Sequence, residues 1–208
     1  FKSEAHLSPR AITARLLERL RASGVDIRLG LEVNAGQLAG PTVDCRGFGA
    51  RDHLPDLRGV KGEMLLVYCP DIELRRPIRL LHPRIPLYIV PREEPGLYMV
   101  GATMLESSER NRITARSMLE LLGAAYALHP AFGEAEVVEI GVDARPAFPD
   151  NLPRIREIDK VVYANGLYRH GFLLSPSLAQ MVAARVFNGD TSGAWHDKAA
   201  HTANEARA

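Results

Sequence analysis

Between Glu63 and Ala102 the chain carries four short β-rich runs, Glu63–Cys69, Pro77–Leu81, Leu87–Val90 and Leu97–Ala102, each closed by proline or glycine punctuation. Such runs suit a pleated, half-buried surface, and Pro or Gly ends them. Parallel neighbours need a crossover of about a dozen residues or more, which these gaps do not hold. The runs are therefore expected to pair antiparallel through tight connections.

Around that middle the pattern turns helical. Ser8 and Pro9 fit the cap and first position of a helix that Gly24 stops, with Ile12, Leu16, Leu17 and Leu20 forming one apolar stripe. Val25–Leu29 alternates like a half-buried strand, and a short strand is expected at Thr42–Cys45 after the breaks at Gly36, Gly40 and Pro41. Thr114 caps a second helix to about Leu128, with Met118, Leu121, Leu122 and Ala125 on one face. Ala135–Arg145 reads as a strand running into the turn-rich Pro146–Pro153. Lys160–Ala164 reads as another, followed by a loop, Asn165–Leu174. A third helix should then start at Ser175 and Pro176 and end at Gly189, leaving a mobile polar tail with Trp195 as a candidate anchor. The fold class is α+β, an antiparallel or mixed sheet between two α/β-like ends.

Composition limits the function classes. With 208 residues, 46% hydrophobic and 25% charged, the chain can bury a real core. Twenty-six basic residues face twenty-five acidic ones, so the basic excess of a nucleic-acid binder is missing. No window approaches the ~18 consecutive apolar residues of a membrane span. Cys45 and Cys69 cannot make a disulfide-rich scaffold and fit no zinc spacing. A soluble, cytoplasmic protein is expected. The chain opens at Phe1-Lys2-Ser3-Glu4, which does not read as a signal peptide, and it is expected to be a piece of a longer one.

Several motifs are missing. Gly47-Phe48-Gly49 continues as Ala50-Arg51-Asp52, so no G-x-G-x-x-G fingerprint is present, and there is no P-loop, G-x-S-x-G or H-E-x-x-H. His196 and His201, five apart, would not share a helix face, so no metal site is expected.

Three stretches hold candidate chemistry. In Asn165–Pro176 a strand ends, two glycines allow close backbone approach and a helix begins, so free N–H groups and the positive end of the helix dipole face any guest there. An anion or an electron-rich ring edge suits that place; a turn needing glycine for its own dihedrals explains it equally well. Arg145, at a strand end before Pro146, could hold a carboxylate by two parallel hydrogen bonds, although strand-end arginines are common surface residues. Tyr88, on the face opposite Leu87 and Ile89, could offer a phenol to a pocket, and Met104 could line one; both residue types are more often packing.

Taken together, Leu87–Arg92, Val100–Met104, Asp143–Pro153 and Asn165–Pro176 resemble segments of the flavin-dependent amino-acid oxidases (the D-amino-acid-oxidase-like family), above all the glycine oxidases of thiamine biosynthesis. Glu4–Arg10, Gly24–Ile27, Val43–Gly47 and Lys61–Met64 fall in the family's order as well, so the similarity runs from Glu4 to about Gly189. The resemblance implies oxidative deamination of glycine or a small amine, with FAD as cofactor and dioxygen as oxidant, giving hydrogen peroxide. It implies that Arg145 and Tyr88 bind the substrate carboxylate and that Arg169 lies beside substrate and flavin, with Met104 lining the pocket. His170, Gly171, Phe172 and Leu173 would face the pyrimidine edge of the flavin, where reduction places negative charge, and Val33 would lie near the adenosine.

By the same resemblance, residues 1–58 and 155–208 are remnants of an α/β FAD-binding domain whose N-terminal dinucleotide-binding half is missing, and residues 59–154 form the substrate domain. Pro86 stands where some glycine oxidases have histidine. The chain alone is then expected to be inactive, with the missing half as its partner and a homo-oligomer as its assembly. Two alternatives stand beside this: a cofactor-free binding or assembly module with the same fold, and a sister enzyme acting on a larger D-amino acid or a secondary amine.

Overall fold

A computed structural model of the chain describes residues 5–82 and 87–197. Pro86, His201 and the opening residues Phe1–Glu4 lie outside the described residues. The chain divides into two compact units, residues 1–27 with 61–144 and residues 28–60 with 145–208. The expected bounds, 1–58 with 155–208 around 59–154, differ from this division chiefly in where the first helix belongs.

The first unit opens with α1 (Pro9–Ala22), whose start follows its sequence: Ser8 Oγ accepts from the Ala11 N–H, and Pro9 needs no acceptor at the first position. The stripe of Ile12, Leu16 and Leu20 stays exposed, and no residue of this helix is buried. Val25–Leu29 forms no strand, contrary to expectation. Val25 is 47% and Leu29 74% exposed, so the alternation has no apolar surface to cover.

The sheet of this unit contains β2 (Arg58–Tyr68), β3 (Ile78–Arg79), β4 (Tyr88–Pro91), β5 (Leu97–Gly101) and β6 (Leu105–Glu106) in the order β3-β4-β5-β2-β6, with β7 (Glu136–Ala147) also pairing β2. The expected antiparallel pairing is present, with Met64 opposite Gly101 and Gly101 opposite Tyr88. Helix α2 (Ala115–Leu128), capped by Thr114, packs Leu121 and Ala125 into a core with Leu65, Val67, Ile89, Tyr98 and Val100. Leu87 and Ile89 point into that core while Tyr88 and Val90 stay half-buried, as the period of two requires.

The second unit holds a smaller sheet, β1 (Thr42–Asp44), β9 (Val161–Asn165) and β8 (Arg154–Ile158), in the order β1-β9-β8. β9 runs parallel to β1, antiparallel to β8, and all five of its residues are buried. Val161 and Tyr163 pack with Leu54, Leu57 and Phe148, whereas Val162 and Ala164 pack with Ile155 and Leu178. A strand covered on both faces is the usual centre of a parallel arrangement. The β8 strand has no counterpart in the sequence reading, because its alternation is carried by Arg154, Arg156 and Glu157 between only two isoleucines.

Helix α3 (Gly171–Asn188) starts five residues earlier than Ser175-Pro176 predicts, with His170 in place of Ser175 at the cap. The same dipeptide caps α1 but lies inside α3, where Ser175 Oγ donates to the Gly171 carbonyl and Pro176 leaves the Phe172 carbonyl without its usual donor. Gly189, at φ 68°, ends the helix as expected. The stretch after Asp190 is not loose up to Asp197. Ile155 N–H donates to the Trp195 carbonyl at 2.8 Å, Asp197 N–H donates to the Ile155 carbonyl at 3.0 Å, and Trp195 packs beside Leu178.

Gly166, at φ 81°, is the position this unit tolerates least in any other form. A Cβ there would sit 2.3 Å from Cδ2 of the buried Phe148. Replacing Gly166 with Ala is expected to destabilise the protein by at least ~2 kcal/mol, from a left-handed backbone and an overfilled core together. A thermal melt with an unchanged midpoint would contradict this.

Candidate functional site

The segment after β9 is built from its buried last residue. Asn165 Nδ2 donates to the Gly47 carbonyl at 2.7 Å, and its Oδ1 accepts the Gly166 N–H at 2.8 Å. Gly166 then turns the chain, Tyr168 takes a positive φ of 50°, and its N–H donates to the Pro146 carbonyl at 3.1 Å. His170 N–H donates to the Leu167 carbonyl at 3.0 Å, and α3 begins at the next residue.

The first hydrogen bond of α3 runs from the Leu174 N–H to the His170 carbonyl, and His170 makes no side-chain cap. The N–H groups of Gly171, Phe172 and Leu173 therefore stand at the positive end of an 18-residue helix without an intrahelical acceptor. Arg169 and His170 are exposed, as are the side chains of Phe172 and Leu173. The Tyr168–Pro146 bond also sets the neighbours of these residues: Arg145, half-buried at the end of β7, and Arg169 each adjoin one of its partners. The structure thus brings the Arg145 end of β7 to the turn that starts α3. Val33 lies in the same unit, exposed, just before a 3-10 turn at Ala35–Gln37.

The other two candidates lie in the first unit. Tyr88 stretches over its β5 partner: a Cβ at Gly101 would be 3.3 Å from the Tyr88 hydroxyl and 3.3 Å from Met64 Cβ. Gly141 on β7 likewise leaves room for Met64, whose Cε would be 3.0 Å from a Cβ there. Two glycines thus clear one face of the sheet so that a phenol and a thioether lie across it. Met104, 38% exposed, follows β5 by three residues.

One cluster has no place among the residues singled out from sequence. Lys61, Glu63, Thr103 and Ser117 are all buried. Lys61 Nζ lies 2.7 Å from Glu63 Oε1 and 3.2 Å from Glu109 Oε2, and it donates to the Arg112 carbonyl. Thr103 Oγ1 accepts the Glu63 N–H at 2.9 Å and donates to Glu63 Oε2 at 2.9 Å. Burial alone would raise the Glu63 pKa, but hydrogen bonds from Lys61, Ser117 and Thr103 hold it below the usual 4.5. Glu109 is pushed down to about 2 by the backbone N–H groups of Asn111 and Arg112, with Lys61 adding to the effect. Lys61 is raised above its usual 10.5, first by its hydrogen bond to Glu63. The sequence signal was available, since a Lys and a Glu two apart in a strand share one face.

Comparison with known proteins gives the family. The model of a family described as FAD dependent oxidoreductase, the DAO family, matches residues 1–185. The chain belongs to that family. A Rhizobium etli protein carrying the name thiamine biosynthesis oxidoreductase ThiO is 52% identical over 186 residues, covering 89% of this chain and 57% of that protein. Glycine oxidase from Geobacillus kaustophilus superposes with a TM-score of 0.61 at 29% identity, over 72% of this chain and 42% of its own. Iminodiacetate oxidase from Chelativorans sp. BNC1 shares the fold, with a TM-score of 0.69 at 23% identity over 87% of this chain. The chain spans a little over half the length of the Rhizobium relative.

The family depends on FAD, and the residues present fit one part of that group. Three amides at an uncapped helix start suit the electron-rich edge of a flavin ring. The Gly-rich turn that would cradle its pyrophosphate is not among these 208 residues. Among the described residues, no group of three or more His, Cys, Asp or Glu could hold a metal, and no helix is long and apolar enough to cross a membrane.

The shifted carboxylates make the first unit acid-sensitive in a defined direction. Glu63 and Glu109 titrate lower when folded, so their contribution is present above pH 4.5 and is lost as pH falls below it, for Glu109 towards about 2. Lys61, shifted upward, contributes fully below pH 10.5 and loses its contribution at more alkaline pH. The melting temperature is expected to fall more steeply below pH 4.5 in the wild type than in Glu109→Gln; parallel slopes would contradict this.

Proposed function

We propose that the intact protein oxidises glycine or a small amine such as sarcosine, within thiamine biosynthesis, and that this chain supplies its substrate-binding residues and the flavin-edge turn. The observation that carries the reading is the junction in the second unit: the uncapped start of α3, held by the Tyr168–Pro146 bond to the strand end that bears Arg145. The family assignment and the ThiO and glycine oxidase relatives support it.

FAD, when bound, would supply the two-electron oxidation of the substrate's carbon–nitrogen bond with dioxygen as final acceptor, so that the overall products are hydrogen peroxide, the 2-oxo acid and, after hydrolysis, ammonia from glycine or methylamine from sarcosine. The chain's own residues bind and orient. In the second unit Arg145 grips the substrate carboxylate through a charge-assisted pair and Arg169 flanks substrate and ring; in the first unit Tyr88 offers its phenol to the substrate. Met104 limits the pocket. The amides of Gly171, Phe172 and Leu173, following His170, face the flavin's pyrimidine edge and favour negative charge there, and Val33 lies towards the adenosine. No acid or base need be assigned to this chain, because orientation is the protein's share of such a reaction.

The dinucleotide-cradling strand and helix, in this reading, come from residues other than these 208, and the chain by itself is inactive. Two features of the second unit support this. β1 ends its sheet among the described residues, leaving a parallel strand with one open edge. Beside it, Val43, Leu178, Val182 and Val186 line an apolar cavity of about 550 Å³. A strand and a helix are what such an edge and such a groove accept.

The test is turnover of the full-length protein. It should be yellow and should release peroxide from glycine or sarcosine, and Arg145→Ala should raise KM about ten- to a hundredfold, the loss of a pair worth ~1.5–3 kcal/mol. Peroxide production with an unchanged KM would remove Arg145 from the carboxylate site. No oxidation of any small amine by the wild type would overturn the function.

A further inference from the structure

The buried cluster around Glu63 holds one segment of the first unit, the connection from β5 to α2. That connection, residues 102–114, contains only the two-residue strand β6, and short stretches of this kind are ordinarily among the more mobile parts of a fold. Here it is tied to β2 at four places besides strand pairing. Glu63 and Thr103 share three hydrogen bonds: Thr103 N–H to the Glu63 carbonyl at 3.1 Å, and two through the Thr103 hydroxyl. Lys61 reaches Glu109 and the Arg112 carbonyl. Glu63 Oε1 accepts the Thr114 N–H at 3.3 Å, next to the first turn of α2. Glu109 fixes its own loop by accepting from Asn111 and Arg112 N–H at 2.9 and 3.0 Å.

A carboxylate with no solvent exposure and an ammonium with almost none are costly to bury, and apolar residues of similar size would often serve a strand equally well. What an ion pair adds is geometry: its donors and acceptors are satisfied in one arrangement and left wanting in others. Met104 is the residue directly after Thr103, so its backbone is held beside that anchor.

We propose that Lys61, Glu63 and Thr103 are positioning residues for substrate choice: by clamping the 102–114 connection to β2 they hold Met104 as a stiff wall that admits glycine-sized amines and disfavours bulkier ones. The inference rests on the reading above that Met104 lines the substrate pocket. None of the three residues touches substrate or flavin in that reading.

The experiment uses the full-length, FAD-loaded protein and compares wild type with Glu63→Gln, Thr103→Val and Thr103→Ser. Two readouts are taken: the ratio of kcat/KM for glycine to that for N-ethylglycine, and hydrogen exchange at the amides of residues 102–114. The clamp predicts that Glu63→Gln and Thr103→Val lower the ratio at least about fivefold, within the range that pocket contacts with a methylene or two command. Exchange in 102–114 should rise, flavin absorption should stay as in the wild type, and Thr103→Ser, which keeps the hydroxyl, should restore both readouts. Should Glu63→Gln not fold, the Thr103 pair carries the test alone. A wild-type ratio in Thr103→Val, or faster exchange without a change of ratio, overturns the inference while leaving the oxidase reading intact. A wild type that oxidises neither amine overturns that reading itself, and the substrate-choice claim falls with it.

Discussion

The turn after β9 exists because position 166 has no side chain. Phe148 fills the space a Cβ would need, and the left-handed backbone there sends the chain back across the sheet. From that constraint follow the Tyr168–Pro146 bond, the start of α3 at Gly171, and the nearness of the Arg145 strand end to an uncapped helix N-terminus. A bulkier residue would push the Phe148 ring out of a core that also contains Leu54, Leu57 and Tyr163. Packing, turn geometry and the proposed chemistry of the second unit thus depend on one small hole in the side-chain pattern.

The first unit works by a different device. Its sheet places apolar residues on one face against α2 and leaves the other face to Tyr88 and Met64, with Gly101 and Gly141 clearing the way. Charge enters through the Lys61–Glu63 pair, which ties the irregular connection after β5 to the regular part of the sheet. Glycines decide where side chains may lie, and the buried pair decides where a loop must lie.

Much of this is legible in the residues, for physical reasons that also explain the misses. The antiparallel middle follows from strand runs too close for crossovers, and α1 and α2 follow from Ser8-Pro9 and Thr114 with apolar residues at helical spacing. Ser175-Pro176 misleads because local sequence does not distinguish a cap from an interior Ser-Pro whose hydroxyl bonds back to the previous turn. The β8 strand hides because its partners, Asp56 and Asp197 for Arg156, are distant in sequence, so its charges look solvated when they are paired. Of the site, the turn and its arginine are visible as residue types in context; the Lys61–Glu63 pair is visible as two charges on one strand face, and its tie to Thr103 only once the fold sets Thr103 beside β2.

The central claim is that the amides starting α3 and the guanidinium of Arg145 serve a flavin edge and an amino-acid carboxylate. A crystal structure of the full-length protein with FAD and a small carboxylate inhibitor such as glycolate tests it most directly. The account predicts the carboxylate within ~3 Å of the Arg145 guanidinium and a pyrimidine oxygen of the flavin at the same distance from the Gly171–Leu173 amides. A carboxylate held by another residue, or a flavin edge facing away from the start of α3, would contradict it.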